Sequence, residues 1–167
     1  MIRVVVDDIA FVQADAVIRP ATATLEPTSA ALRHLEQVGG PGFVRQAQVQ
    51  QALAVGAAVV TGAGELPAEF VIHAVIRSET EPVTAAGVRR ALTSALQRAV
   101  DWQLQRVTVP PLGTGAGNLG LEDAARLMVE VLSQHTSVAS FPSDVAIVVD
   151  SPEDKQVFDA LLRRLPQ

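Results

Sequence analysis

The apolar residues of this chain come in short consecutive runs rather than in alternation. Phe70-Val71-Ile72-His73-Ala74-Val75-Ile76 and Val145-Ala146-Ile147-Val148-Val149 are the clearest. Ile2 to Val6, Ala16 to Ile18, Ala57 to Val60 and Arg106 to Val109 read the same way. A strand with one wet face alternates apolar and polar; a strand apolar at nearly every position must be covered on both faces. The runs therefore predict a largely parallel sheet with helices above and below it.

Segments of helical spacing lie between these runs. Thr28 to Val38 carries Ala31, Leu32, Leu35 and Val38 and stops at Gly39-Gly40, and Phe43 to Leu53 reads as a weaker helix. Thr84 to Leu104 and Leu121 to Leu132 each carry an apolar stripe. Pro152 to Leu165 follows Ser151 as its N-cap, with proline in the first turn. Strands and helices mixed along the chain predict a three-layer α/β/α sandwich around a mixed, mostly parallel sheet. With 167 residues and no linker or repeat, residues 1–167 are expected to form one domain.

Composition excludes several function classes. No cysteine is present, so disulfides, thiolate metal sites and cysteine nucleophiles are excluded. The formal charge of -5 argues against general nucleic-acid binding. No apolar stretch is long enough to span a bilayer, and Asp7-Asp8 interrupts the start before a signal-peptide core forms. A soluble, cytoplasmic chain without membrane association is expected.

The segment richest in chemical meaning is Val107 to Gly120, a strand followed by Pro110-Pro111-Leu112-Gly113-Thr114-Gly115-Ala116-Gly117-Asn118-Leu119-Gly120. Glycines at the carboxyl end of a buried strand let a ligand approach the backbone, and a helix N-terminus favours an anion. Gly115 to Gly120 matches G-x-G-x-x-G, but too late in the chain for a dinucleotide fold, and no lysine follows to make a P-loop. Asp8, after the first strand, is placed to accept from an exocyclic amine, or to act as a turn acid. Thr28 and Ser29 read as ordinary helix caps that also have hydroxyls to offer a phosphate. Arg19 is expected to be solvated, His73 to be a hydrogen-bonded core residue, and His34 and His135 to face solvent. Neither metal-ligand spacing nor a Ser-His-acid arrangement is found, so no catalytic residue, metal or cofactor is assigned.

The order of these motifs resembles the macro domain, the ADP-ribose-binding module, and especially its small stand-alone bacterial type. The strongest parts are Thr61-Gly62-Ala63-Gly64 running through Val71-Ile72-His73-Ala74, and Pro110 to Gly117. The resemblance implies a ligand cleft across the carboxyl ends of the central strands. It places the adenine-binding acid on Asp8, followed by Ile9. It places the loop around the pyrophosphate and distal ribose on Gly113, Thr114, Gly115, Ala116, Gly117 and Asn118. It places Asp150, or its neighbour Val149, where the family often stacks an aromatic on adenine.

Departures from the family pattern fall on the opposite wall. Its N-A-A-N reads Arg19-Pro20-Ala21-Thr22, so Thr22 replaces the Asn that orients the distal ribose, with Ala21 beside it. Its glycine-rich first loop reads Thr28-Ser29-Ala30-Ala31, where Cβ atoms obstruct a diphosphate. Asp7 adds negative charge. The resemblance therefore implies binding of ADP-ribose, a related adenine nucleotide or an ADP-ribosylated molecule, in weakened form. The alternatives are a degenerate scaffold with another ligand or a protein partner, homo-oligomer included, and an ADP-ribosyl or O-acyl-ADP-ribose hydrolase.

Overall fold

A computed structural model describes residues 1–115 and 118–165. The strands are β1 (Ile2–Val6), β2 (Ala14–Thr22), β3 (Ala58–Gly62), β4 (Ala68–Arg77), β5 (Arg106–Val109) and β6 (Asp144–Val149). The helices are α1 (Ala30–Gln46), α2 (Ala85–Asp101), α3 (Leu121–Val138) and α4 (Pro152–Arg163), with a 3-10 turn at Ile9–Phe11. The strands form one sheet in the order β1-β6-β5-β2-β4-β3. Every neighbouring pair is parallel except β3 with β4.

The consecutive apolar runs are explained by two cores that share the strands. In β2, Ala16 and Ile18 point into one core and Val17 and Ala21 into the other; in β4, Ile72, Ala74 and Ile76 part from Val71 and Val75 in the same way. The larger core takes α2, α3 and Phe158 of α4, while α1 covers the other face. Three helices on one face and one on the other make the α/β/α sandwich lopsided.

The thinner face carries a polar row that the apolar pattern conceals. Arg19 of β2 is paired in register with His73 of β4. Arg19 is fully buried, where the sequence suggested a solvated side chain. Its Nε donates to His73 Nδ1 at 2.8 Å, one terminal nitrogen donates to the Leu25 carbonyl at 2.6 Å, and the other meets Glu36 of α1 at 3.3 Å. The guanidinium lies 5.4 Å from the Phe43 ring centroid. Burial lowers the Arg19 pKa to about 10, with Glu36 acting in the opposite sense, so the group stays charged at neutral pH.

His73 is the buried, hydrogen-bonded core residue that the sequence suggested. Because Nδ1 accepts from Arg19, the ring proton sits on Nε2, which donates to Thr61 Oγ1 at 2.7 Å; Thr61 Oγ1 in turn donates to the Gly62 carbonyl. Burial, then the neighbouring guanidinium, hold this imidazole well below its ordinary 6.5.

Two helical expectations change. Thr28 to Val38 and Phe43 to Leu53 are not separate helices. The first runs into the second across a kink at Gly40 (φ 77), and Pro41 opens the second half, where a missing N–H costs nothing. That half ends at Gln46, and α3 runs on to Val138. Gly64, also at positive φ, lies against this kink; a Cβ there would overlap the Gly39 carbonyl oxygen, whose partner is the Glu65 N–H at 2.9 Å. The glycines of the Thr61–Gly64 block thus serve packing. Ser151 and Thr84 cap α4 and α2 by accepting from Asp154 and Gly87 N–H.

Arg19→Leu is expected to destabilise the fold by about 3–5 kcal/mol in urea unfolding, because it strands the partners of a buried cation. His73 sets a pH dependence. The folded state resists its protonation, so the unfolded chain binds more protons below 6.5 and stability falls as pH drops through that region. Thermal unfolding between about pH 5 and 7 should show this slope, and His73→Gln should flatten it.

Candidate ligand cleft

Parallel strands ending side by side leave their carboxyl ends on one rim, where open α/β sheets bind ligands. On this rim, over the ends of β1, β6 and β5, lies a cleft of about 530 Å³. Val6, Asp7, Asp8 and Ile9 form one end, and Val148, Val149 and Asp150 lie beside them. Pro110, Pro111 and Thr114 continue the wall after β5, and Ser29, Ala31, Leu32 and His34 of the α1 start face them. Its volume is within the range of small-molecule sites.

Asp8 does two things. Its Oδ1 accepts from the Ala10 N–H at 3.0 Å and so caps the 3-10 turn, as a turn acid should. Its Oδ2 lies 2.9 Å from His34 Nε2, and the His34 ring meets Phe11 edge-on at 6.2 Å. His34, expected to face solvent, is half-exposed yet reaches into the cleft. His135 is half-buried, with Nε2 2.8 Å from the Phe141 carbonyl. Ser29 occupies the N-cap position of α1, but its side chain makes no cap hydrogen bond and instead lines the cleft. The ordinary-cap reading of Ser29 is therefore corrected.

Of the residues named from the sequence, Asp8, Ile9, Ser29, Thr114 and Asp150 come together here, as does Val149. Ala21 does not; it is fully buried and bridged to Pro27. Thr22 lines a different hollow, and Thr28 and Ala30 flank Ser29 without lining the cleft. Gly113, at φ 76, is a packing glycine: a Cβ on it would come within 2.8 Å of Val88 of α2. Gly115 (φ 121) has open space apart from Asn118, whose N–H donates to the Gly115 carbonyl; neither is on the cleft wall. Ala116 and Gly117 lie outside the described residues.

Sequence reasoning missed His34, Leu32, the proline pair and Asp154. His34 lies in the first turns of α1, and spacing from Ser29 does not by itself put the two on one face. Asp154 had no readable signal, because only the packing of α4 brings its first turn to the rim. Four carboxylates, Asp7, Asp8, Asp150 and Asp154, face this space, and its described lining contains no lysine or arginine. Among the described residues, no group of three or more His, Asp or Glu is placed to hold a metal ion. No described helix is long and apolar enough to cross a membrane.

Fold and cleft together define an α/β/α module with an open cleft on the carboxyl rim of its sheet. The Macro domain pattern matches residues 19–128, and the chain belongs to that family. It is 35% identical over 130 residues to a protein of Aquifex aeolicus, covering 77% of this chain and 79% of that one. It is 29% identical to a Pantoea vagans protein named O-acetyl-ADP-ribose deacetylase 1, over 96% of this chain and 98% of the relative. With a Mycobacterium tuberculosis protein it shares 30% identity, but it spans only 36% of that protein's length. Among solved structures, a mutant Oceanobacillus iheyensis macrodomain with ADPR superposes with a TM-score of 0.85 at 20% identity, covering 96% of this chain and 90% of the other. The Trypanosoma brucei macrodomain in complex with ADP-ribose gives 0.86 at 17% identity, covering 96% and 68%. These superpositions establish the shared fold.

Gly113→Ala should destabilise the fold by about 1 kcal/mol or more beyond Gly115→Ala in chemical denaturation. Both substitutions strain a positive φ, but only the first also drives a methyl into α2.

Proposed function

We propose that this cleft binds ADP-ribose or a related adenine nucleotide, free or as part of an ADP-ribosylated molecule, and more weakly than a glycine-lined cleft would. The observation that carries the reading is the position of Asp8: a carboxylate at the end of β1, at one end of the cleft, with Thr114 of the late glycine bend lining the wall after β5. Asp8 accepts from the adenine amine, exchanging its contact with His34 for one with the base. Val149 and the Asp150 backbone flank the ring. The phosphates run toward Thr114 and Ser29, whose hydroxyls supply donors.

The weakness has an electrostatic source. Four aspartates face a ligand that brings further negative charge, and Ser29 and Ala31 carry Cβ atoms where glycines would open the backbone. Hydrolysis of an ADP-ribosyl ester is a second reading, favoured by the similarity to the Pantoea vagans deacetylase. Against it stands Thr22, which the fold turns out of the cleft.

Titration calorimetry with ADP-ribose tests the binding reading. Asp8→Asn keeps an oxygen for the Ala10 N–H but loses the carboxylate, and should weaken binding about tenfold, the loss of one charge-assisted hydrogen bond. Absence of heat and of any thermal shift at millimolar ligand would refute the reading, because even weak binding raises the melting temperature at high concentration. Raising salt from about 0.05 to 0.5 M should tighten binding, since screening relieves repulsion here.

A further inference from the structure

We infer that His34 is a specificity-determining residue: its imidazole stands on Asp8 where the amine of a ligand's base must bind, and so blunts the cleft's preference for an amino-bearing base. The inference rests on the adenine-nucleotide reading above. Both oxygens of Asp8 are engaged within the protein. Oδ1 accepts from the Ala10 N–H at 3.0 Å, and Oδ2 lies 2.9 Å from His34 Nε2. The two contacts differ in kind. The first closes the 3-10 turn two residues on and is partly buried. The second reaches 26 positions along the chain to α1, and both of its side chains are close to half exposed. A ligand amine arriving at Asp8 therefore displaces the imidazole and leaves the turn intact.

The imidazole is held in that place. Its ring meets Phe11 edge-on at 6.2 Å, within the range where aromatic rings attract. Phe11 ends the same 3-10 turn that Asp8 caps, so two groups of one wall hold a side chain of the other. Among the described lining residues, His34 is the only side-chain N–H donor. It is the protein's own counterpart of a base amine.

The consequence falls on discrimination between bases. A base with an amine gains a hydrogen bond to Asp8 and breaks the one from His34. A base without an amine leaves the Asp8–His34 contact in place. The advantage of the amine is thus reduced by the bond it replaces, and removing the imidazole restores the whole of it.

The test is calorimetry on the intact chain with ADP and with the diphosphate of purine riboside, which is ADP without its amine. His34→Phe keeps a flat ring for Phe11 and loses the N–H. The preference for ADP over the desamino analogue should rise about threefold to fivefold in His34→Phe, as an exposed pair of this kind contributes. His34→Leu should give the same rise. Comparing two ligands on one protein cancels any general change that the substitution makes to the wall. In the Asp8→Asn background the rise should vanish, because the carboxylate for which imidazole and amine compete is gone; a double-mutant cycle reads this coupling. A preference unchanged by His34→Phe would overturn the inference, because Asp8 would then serve imidazole and amine together. A preference that falls would make His34 a contact of the base and overturn it too, as would a rise that persists in Asp8→Asn. In each of these cases wild-type ADP binding leaves the nucleotide reading standing. If neither ligand binds the wild-type chain, that reading falls and this inference with it.

Discussion

One buried guanidinium organises the site-bearing half of this molecule. Arg19 sits in a central strand with no access to water, and each of its three nitrogens goes to a different part of the chain: β4 through His73, α1 through Glu36, and the turn after β2 through Leu25. A charge so placed is costly unless every donor is used. Here the cost is offset by directional bonds, and those bonds fix where α1 begins relative to the sheet. Since Ser29 and His34 stand at that start, one wall of the cleft is positioned by an interaction beneath it.

The other wall follows from the sheet itself. β1 and β6 end in step and β5 ends two residues short of them, opposite Ile147, so Asp8, Val149 and Pro110 arrive at the rim without special devices. The two walls differ in character. The strand-end wall carries Asp8, Asp150, the proline pair and Thr114; the helix wall presents Ser29, Ala31, Leu32 and His34. Under the proposed reading, binding depends on hydrogen bonds and shape, with the four aspartates opposing an anionic ligand. Asp8 and His34 satisfy one another at the cleft.

The fold was largely legible in the sequence, because burial on both faces leaves a plain signature. Residues 71–76 alternate between two cores, and only a covered strand requires apolar groups at both sets of positions. Helix ends were less legible. Gly39-Gly40 reads as a stop, yet with Pro41 it makes a bend that the chain continues through. The candidate site was half legible. Asp8, Ser29, Thr114 and Asp150 lie next to strand or helix ends that local pattern reveals. Arg19 was misread because nothing around Arg-Pro-Ala-Thr marks a buried cation; its burial depends on register with His73, far away in the chain. Gly113 has a packing reason that pattern alone does not reveal: a glycine made necessary by a neighbouring helix looks, in one dimension, like a glycine made necessary by a ligand.

The wiring of Arg19 has an evolutionary corollary. Its partners are useful only together: losing the guanidinium strands an imidazole nitrogen, a carboxylate and a carbonyl at once, and losing Glu36 or His73 leaves the cation short of a partner. Effects at such positions do not add. Positions 19, 36 and 73 are therefore expected to drift in concert or not at all, so a lineage that acquires this trio finds single-step reversion closed to it. The altered rim is then entrenched by contingency in the interior, whatever selection later asks of the pocket above.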